Sequence, residues 1–362
     1  MVGPNVTFEN RYGLLDRLLH RIAFRAGTAQ QAMADVEEIL YRKTLQAVPL
    51  EDPVFISGLP RSGTTILLNI LWDSGYFASH TYRDMPFVLC PMVWQRLSFR
   101  FTVDDAPRER AHADGLQVSG DSPEAFEEMI WKHFWPTHYE TDRIRPWTSS
   151  DENPEFDDFL EAHMRKIIVL RRHEASDNRR YLSKNNLQIA RLAAPPRPLR
   201  RGLFLIPFRD PVQHAASMLR QHRRFLQIHA KDDFTRLYME AIGHHEFGQG
   251  LRPVDFGGWM EGAPPPEDLT FWIRYWNAAY SYVLEHAGSS ARLVSYARLV
   301  GEPKAALARL ADVVGVPTSI LLPRAERLRP PRTHDVKHEN VHARAVDEAS
   351  AVYENLEARA VV

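Results

Sequence analysis

The residues best suited to chemistry lie in one short run, Gly58-Leu59-Pro60-Arg61-Ser62-Gly63-Thr64-Thr65. Its glycines let the backbone turn tightly, so that successive N–H groups and the start of a following helix can converge on an anion. The spacing is that of the nucleotide loop G-x-x-x-x-G-K-[ST], except that Thr64 stands where the lysine belongs. Kinases and NTPases use that lysine on the outer phosphates and the next hydroxyl on magnesium, so its loss argues against triphosphate chemistry. A ligand with one 5′ phosphate and a further transferable group remains compatible with the loop.

Such a loop works only between a strand and a helix, and its flanks predict both. Pro53 to Ser57 is a short apolar run, and Ile66, Leu67, Ile70 and Leu71 follow helical spacing from Thr65 to Trp72. A second unit begins as a strand over Arg180-Tyr181-Leu182-Ser183-Lys184, passes through a short helix around Leu187 to Leu192, and returns as a strand over 202–209. Strand, helix and strand at this length imply parallel pairing with a right-handed crossover. Asp210-Pro211 is a helix cap followed by proline at the first helical position, which predicts a helix into the 220s. A last strand is expected over 292–296, then a helix from Pro303 to Val314 that stops at Gly315 and Pro317. Residues 154–172 contain the strand-like run Ile167-Ile168-Val169-Leu170. They are nevertheless expected to be helix, because Phe156, Phe159, Leu160, Met164, Ile167 and Ile168 recur at helical spacing. Residues 10–48 also read as helix, with Leu14, Leu15, Leu18, Leu19 and Ile22 expected to pack on the main domain. A membrane-surface or dimer-forming helix is the other use of such a face beside arginines.

In this setting the chain resembles the sulfotransferase family, which takes its sulfuryl group from 3′-phosphoadenosine 5′-phosphosulfate (PAPS). The resemblance implies that Arg61, Ser62, Gly63, Thr64 and Thr65 bind the 5′-phosphosulfate without a metal. It also implies that Arg209, at a strand end, and Ser217, eight residues later on the next helix, bind the 3′ phosphate. A guanidinium can grip a phosphate bidentately, and a hydroxyl near a helix start adds a donor. In Tyr181-Leu182-Ser183-Lys184-Asn185-Asn186, Lys184 matches a lysine of the tyrosylprotein group and would stabilise the oxygen leaving sulfur. The segment Val294-Ser295-Tyr296-Ala297-Arg298-Leu299-Val300 resembles the late signature V-x-Y-E-x-L-V, with Ala297 in place of glutamate.

Sulfuryl transfer is an in-line displacement and needs a base for the acceptor hydroxyl. Where the tyrosylprotein group has a glutamate after the loop helix, this chain offers Tyr82 or Arg83, with His80 and Asp84 as nearby substitutes. Glu124 lies in Asp121-Ser122-Pro123-Glu124-Ala125-Phe126-Glu127-Glu128, which resembles the D-x-P-E-E segment of many bacterial sulfotransferases. Glu124 and Asp84 rank ahead of His80, and a capped acidic first turn of a helix is the competing account of Glu124. The aromatic stretch from Met129 to Tyr139, with Trp147, either lines an acceptor site or packs the core. His334, His338 and His342 have a spacing that could ligate a metal on a helix, yet the proposed chemistry requires none. The cluster Arg324, Arg327, Arg329 and Arg332 is expected either to close over the 3′ phosphate or to be a solvated face.

The whole chain fits this scale. Its 362 residues, 45 Lys and Arg against 46 Asp and Glu, lack the basic field of a general nucleic-acid binder. Cys90 is the only cysteine, which excludes an intrachain disulfide and a cysteine-rich zinc site. No stretch reaches the roughly 18 apolar residues that span a bilayer, and a cytoplasmic, unanchored enzyme, with homodimer formation left open, is expected. The fold class expected is α/β, a three-layer α/β/α domain with a central parallel sheet of the P-loop nucleotide-binding type. One domain should cover 1–362, with a helical extension at 1–48, a motif-bearing core at 53–315 and a basic, helical segment at 316–362. The function expected is sulfuryl transfer from PAPS, as co-substrate, to a hydroxyl of a carbohydrate, glycolipid or small molecule. The rivals are a P-loop kinase using Mg-ATP and a nucleotide-binding protein without catalysis.

Overall fold

Residues 12–98, 108–109, 117–174, 177–330 and 342–362 are described by the computed structural model. Seven strands occur among them: β1 (Val54–Ile56), β2 (Phe77–Ala78), β3 (Arg108–Glu109), β4 (Gln117–Val118), β5 (Arg180–Lys184), β6 (Leu203–Phe208) and β7 (Ala291–Ser295). Five form a sheet in the order β2-β5-β1-β6-β7, every neighbouring pair parallel, while β3 and β4 pair antiparallel.

The alternation of side chains along these strands makes the sheet a middle layer. Phe55, Tyr181, Phe204, Ile206 and Phe208 enter one core with Phe156, Leu160, Met164, Ala215, Met218 and Trp276 from the helices Pro154–Arg171, Pro211–Lys231 and Leu269–His286. Val54, Ile56, Leu182, Leu205 and Val294 enter the other, against Leu67, Leu68 and Leu71 of the helix Thr64–Trp72 and Leu307 and Leu310 of the helix Pro303–Val314. The three-layer α/β/α arrangement is thus built from two apolar faces of one parallel sheet.

Pro207 sits inside a central strand, where proline would normally break a ladder. The Leu203 N–H donates to Pro53 O, so the odd positions of β6 face β1, and β1 has already ended opposite Leu205. The donor that Pro207 lacks therefore points where no strand continues.

The run at 154–172 is the helix Pro154–Arg171, capped by Asn153, whose side chain accepts from the Phe156 N–H. The region read as helix over 10–48 is helical from Leu14 on, as three helices, Leu14–Arg25, Gly27–Leu40 and Arg42–Gln46. The packing expected of its leucines is corrected, since Leu14, Leu15, Leu18 and Ile22 are 87%, 82%, 55% and 55% exposed while His20 and Ala23 face the protein. The aromatic stretch is core: Trp131, Trp147 and Phe156 pack together, with the Arg191 guanidinium 3.6 Å from the Trp131 ring centre and 4.2 Å from that of Trp147. Among the described residues no helix is long and apolar enough to cross a membrane.

Candidate active site

A parallel sheet gathers its carboxyl ends along one edge, the usual place for a ligand in open α/β folds. The residues singled out from the sequence follow those ends. The loop from Gly58 follows β1, His80 and Asp84 follow β2, Lys184 ends β5 opposite Ile56, Arg209 follows β6 and Tyr296 follows β7.

The loop from Gly58 to Thr65 is shaped by contacts from three directions. Arg61 adopts φ +75°, a left-handed conformation that costs a non-glycine residue about 1 kcal/mol. Its carbonyl accepts from Arg209 Nη1 at 2.9 Å, and the same guanidinium lies 5.1 Å from the Tyr296 ring centre. Burial lowers the Arg209 pKa from its ordinary value, with Arg61 adding to the effect. Gly63 caps the helix Thr64–Trp72 at φ +109°, and a Cβ there would lie 2.7 Å from Tyr296, so both conformation and space require glycine. The first amides of an α-helix lack intrahelical acceptors, which leaves this turn the donor geometry of an anion site.

Beneath the loop, the Trp276 indole N–H donates to His214 Nδ1 at 3.1 Å, so His214 Nε2 carries the proton that it donates to Pro60 O at 2.8 Å. Burial, reinforced by Arg209, holds the His214 pKa down at about 3, consistent with this neutral tautomer. On the other flank, the Thr64 hydroxyl donates to Asn186 Oδ1 at 3.3 Å, and Asn186 Nδ2 donates to Glu246 Oε1 at 2.9 Å. His214, Trp276, Asn186 and Glu246 were not singled out from the sequence. His214 lies between Pro211 and Ser217 on the helix that follows Arg209, and Asn186 closes the segment Tyr181-Leu182-Ser183-Lys184-Asn185-Asn186. Ser217 itself is buried on the helix Pro211–Lys231, whose cap Asp210 accepts from the Gln213 N–H at 2.8 Å.

The three candidate bases lie together but differ in their bonding. Asp84 accepts from the Thr81 N–H at 2.9 Å, pairs with Arg171 through both oxygens, and has His80 Nδ1 3.3 Å away. Burial alone would raise its pKa, but the Arg171 charge and His80 hold the carboxyl far below the ordinary carboxylate range. His80 Nε2 faces His163 Nε2 at 3.2 Å in a stacked pair of buried rings. Glu124 is in irregular backbone anchored by its N–H to His80 O at 3.0 Å, and the helix expected around it begins only at Glu128. The capped-first-turn account of Glu124 is therefore corrected. Its Oε1 accepts from the Ala125 N–H and its Oε2 from the Tyr82 hydroxyl, both at 2.8 Å. The two carboxylates that follow are structural: Glu127 accepts from Tyr181, Trp131 and Gln188, and Glu128 from Arg191 and Asn185.

Lys184 is buried at the strand end, and the adjoining Asn185 N–H donates to Ile56 O at 2.9 Å. The segment 244–246 joins the two flanks, with His244 Nε2 3.2 Å from Ala125 O and Glu246 on Asn186. Arg324 and Arg327 bond to Asp73, at the end of the loop helix. Arg332, His334 and His338 lie outside the described residues. Among those described, no group of three or more His, Cys, Asp or Glu side chains is arranged to hold a metal ion.

A family model with the description Sulfotransferase family matches residues 53–249. The chain is similar in structure to sulfotransferase STF9 from Mycobacterium avium, with 11% identity, a TM-score of 0.49, and coverage of 93% of this chain and 85% of that one. It is similar also to sulfotransferase STF1 from Mycobacterium tuberculosis, with 14% identity, a TM-score of 0.47 and coverage of 92% and 85%. Retinol dehydratase in a complex with retinol and PAP aligns at 12% identity and a TM-score of 0.33, over 87% of this chain and 84% of that one. A search of curated proteins gave no match.

Proposed function

This chain belongs to the sulfotransferase family, and we propose that it transfers the sulfuryl group of PAPS to a hydroxyl of a carbohydrate, glycolipid or small-molecule acceptor. The observation that carries this reading is the gathering of a lysine-free loop, Lys184 and Arg209 at the carboxyl ends of three adjacent parallel strands, with Glu124 tied through its N–H to His80 beyond a fourth. In this reading Arg61, Ser62, Gly63, Thr64 and Thr65 hold the 5′-phosphosulfate with the loop amides. Arg209 and Ser217 take the 3′ phosphate.

The acceptor oxygen attacks sulfur in line, the bond from sulfur to the bridging oxygen breaks, and adenosine 3′,5′-bisphosphate leaves. Lys184 stabilises the charge that develops on the bridging oxygen. The acceptor proton goes to Glu124. That carboxylate is oriented by two neutral donors, the Ala125 N–H and the Tyr82 hydroxyl. Asp84 is the weaker candidate, because a carboxylate locked onto Arg171 has little affinity for a proton. We assign it, with His80, to positioning the segment that carries Glu124.

The test is a transfer assay with PAPS and a panel of hydroxyl acceptors. Glu124→Gln should lower kcat by about 10²- to 10⁴-fold with little change in affinity for adenosine 3′,5′-bisphosphate. An unchanged kcat would remove Glu124 as the base. Phosphoryl transfer from Mg-ATP, or nucleotide binding with no transfer to any acceptor, would replace the proposal by a kinase or a binding protein.

A further inference from the structure

The N-terminal helix Leu14–Arg25 is fixed to the protein by one side only. His20 and Ala23 are buried; the His20 ring lies 5.6 Å from Tyr238 and 6.2 Å from Phe234, and the Ala23 carbonyl accepts from Gln30 Nε2 at 2.9 Å. The opposite side is apolar and open to solvent, with Leu14 and Leu15 more than four-fifths exposed and Leu18 and Ile22 more than half.

At about 100° per residue, Leu14, Leu18, Ile22 and Leu15 fall within a stripe roughly 100° wide. Arg17, Arg21 and Arg25 form a parallel row along its edge, Arg21 and Arg25 exposed and Arg17 half-buried against Tyr12 O and Phe234 and 3.9 Å from the Asp232 carboxylate. Asp16, the one acidic residue of the helix, falls on the far side of the stripe. The next helix, Gly27–Leu40, adds exposed Val36, Ile39 and Leu40, and exposed Arg42 and Lys43 follow it.

We propose that this face docks on an anionic lipid surface, with the leucine stripe entering the headgroup boundary and the arginine row meeting lipid phosphates. The charge pattern selects the occupant. A second copy packed antiparallel on this face about a two-fold axis would bring Arg21 and Arg25 of both copies together with no carboxylate on the stripe to neutralise them. An interfacial helix, by contrast, takes an apolar face edged by arginines whose stems lie along the boundary while the guanidinium groups stay among the phosphates. The inference does not depend on the reaction the enzyme performs.

The full chain is to be sedimented with vesicles of phosphatidylglycerol and phosphatidylcholine, and with phosphatidylcholine alone, at low and high salt. Binding is expected to the anionic vesicles only, and to weaken with salt. Leu18→Glu with Ile22→Glu, and separately Arg21→Glu with Arg25→Glu, should each reduce it at least about tenfold. All four positions are exposed, so thermal unfolding followed by circular dichroism should be unchanged in both variants. Absence of binding, equal binding to neutral vesicles, or a dimer in light scattering that Leu18→Glu dissociates would overturn the proposal, the last in favour of self-association.

Discussion

Asp84 and Glu124 are buried residues that both bond to His80, Asp84 through its carboxylate and Glu124 through its N–H, and their partners make the two carboxylates chemically different. One pairs with a guanidinium through both oxygens; the other accepts from a neutral hydroxyl and a backbone amide. The sequence offered both as bases because spacing reports proximity but not bonding, and Arg171, 87 residues from Asp84, is invisible to local pattern. The Tyr82 hydroxyl on Glu124 links the segment after β2 to a carboxylate from a distant segment. Asp84→Asn should destabilise the fold by about 3 kcal/mol near neutral pH, since it leaves the mostly buried Arg171 without its counter-charge. The Asp84 pKa is depressed in the folded state, so its stabilisation is complete above the ordinary value of 3.8 and is lost as pH falls toward the folded value. Denaturant midpoints of the two proteins should therefore converge below about pH 4. A gap that stays constant into acid would show that the ion pair is not its source.

The phosphate loop shows what an element requires beyond its own residues. Its glycines and hydroxyls were legible, as were the strand before it and the helix after it, because turn chemistry and periodicity are local signals. Its supports were not, since Trp276, His214 and Asn186 come from elements far along the chain and meet the loop only after the sheet forms. The leucines of the first helix were misjudged for a related reason: an amphipathic pattern identifies a face without saying what it meets. Replacing His214 by Phe keeps an aromatic ring but strands the Pro60 carbonyl and the Trp276 N–H, at a cost of about 1–3 kcal/mol for each buried group. His214→Phe should weaken calorimetric binding of adenosine 3′,5′-bisphosphate about tenfold. Unaltered affinity would mean that the loop holds its shape without this relay.

At the scale of the whole molecule, one topological fact organises the site: every strand of the main sheet is parallel, so loops from distant parts of the chain end at the same edge. The sequence suggested that arrangement through strand, helix and strand units, and the fold class and most element positions follow from it. The order β2-β5-β1-β6-β7, which seats Lys184 beside the phosphate loop and the Glu124 segment beyond it, depends on pairings between strands well over a hundred residues apart. The most direct test of the account is calorimetric binding of adenosine 3′,5′-bisphosphate beside ATP with magnesium. The account predicts metal-independent binding of the bisphosphate, with Mg-ATP at least about tenfold weaker because the loop lacks the lysine that grips outer phosphates. Preference for Mg-ATP would contradict it.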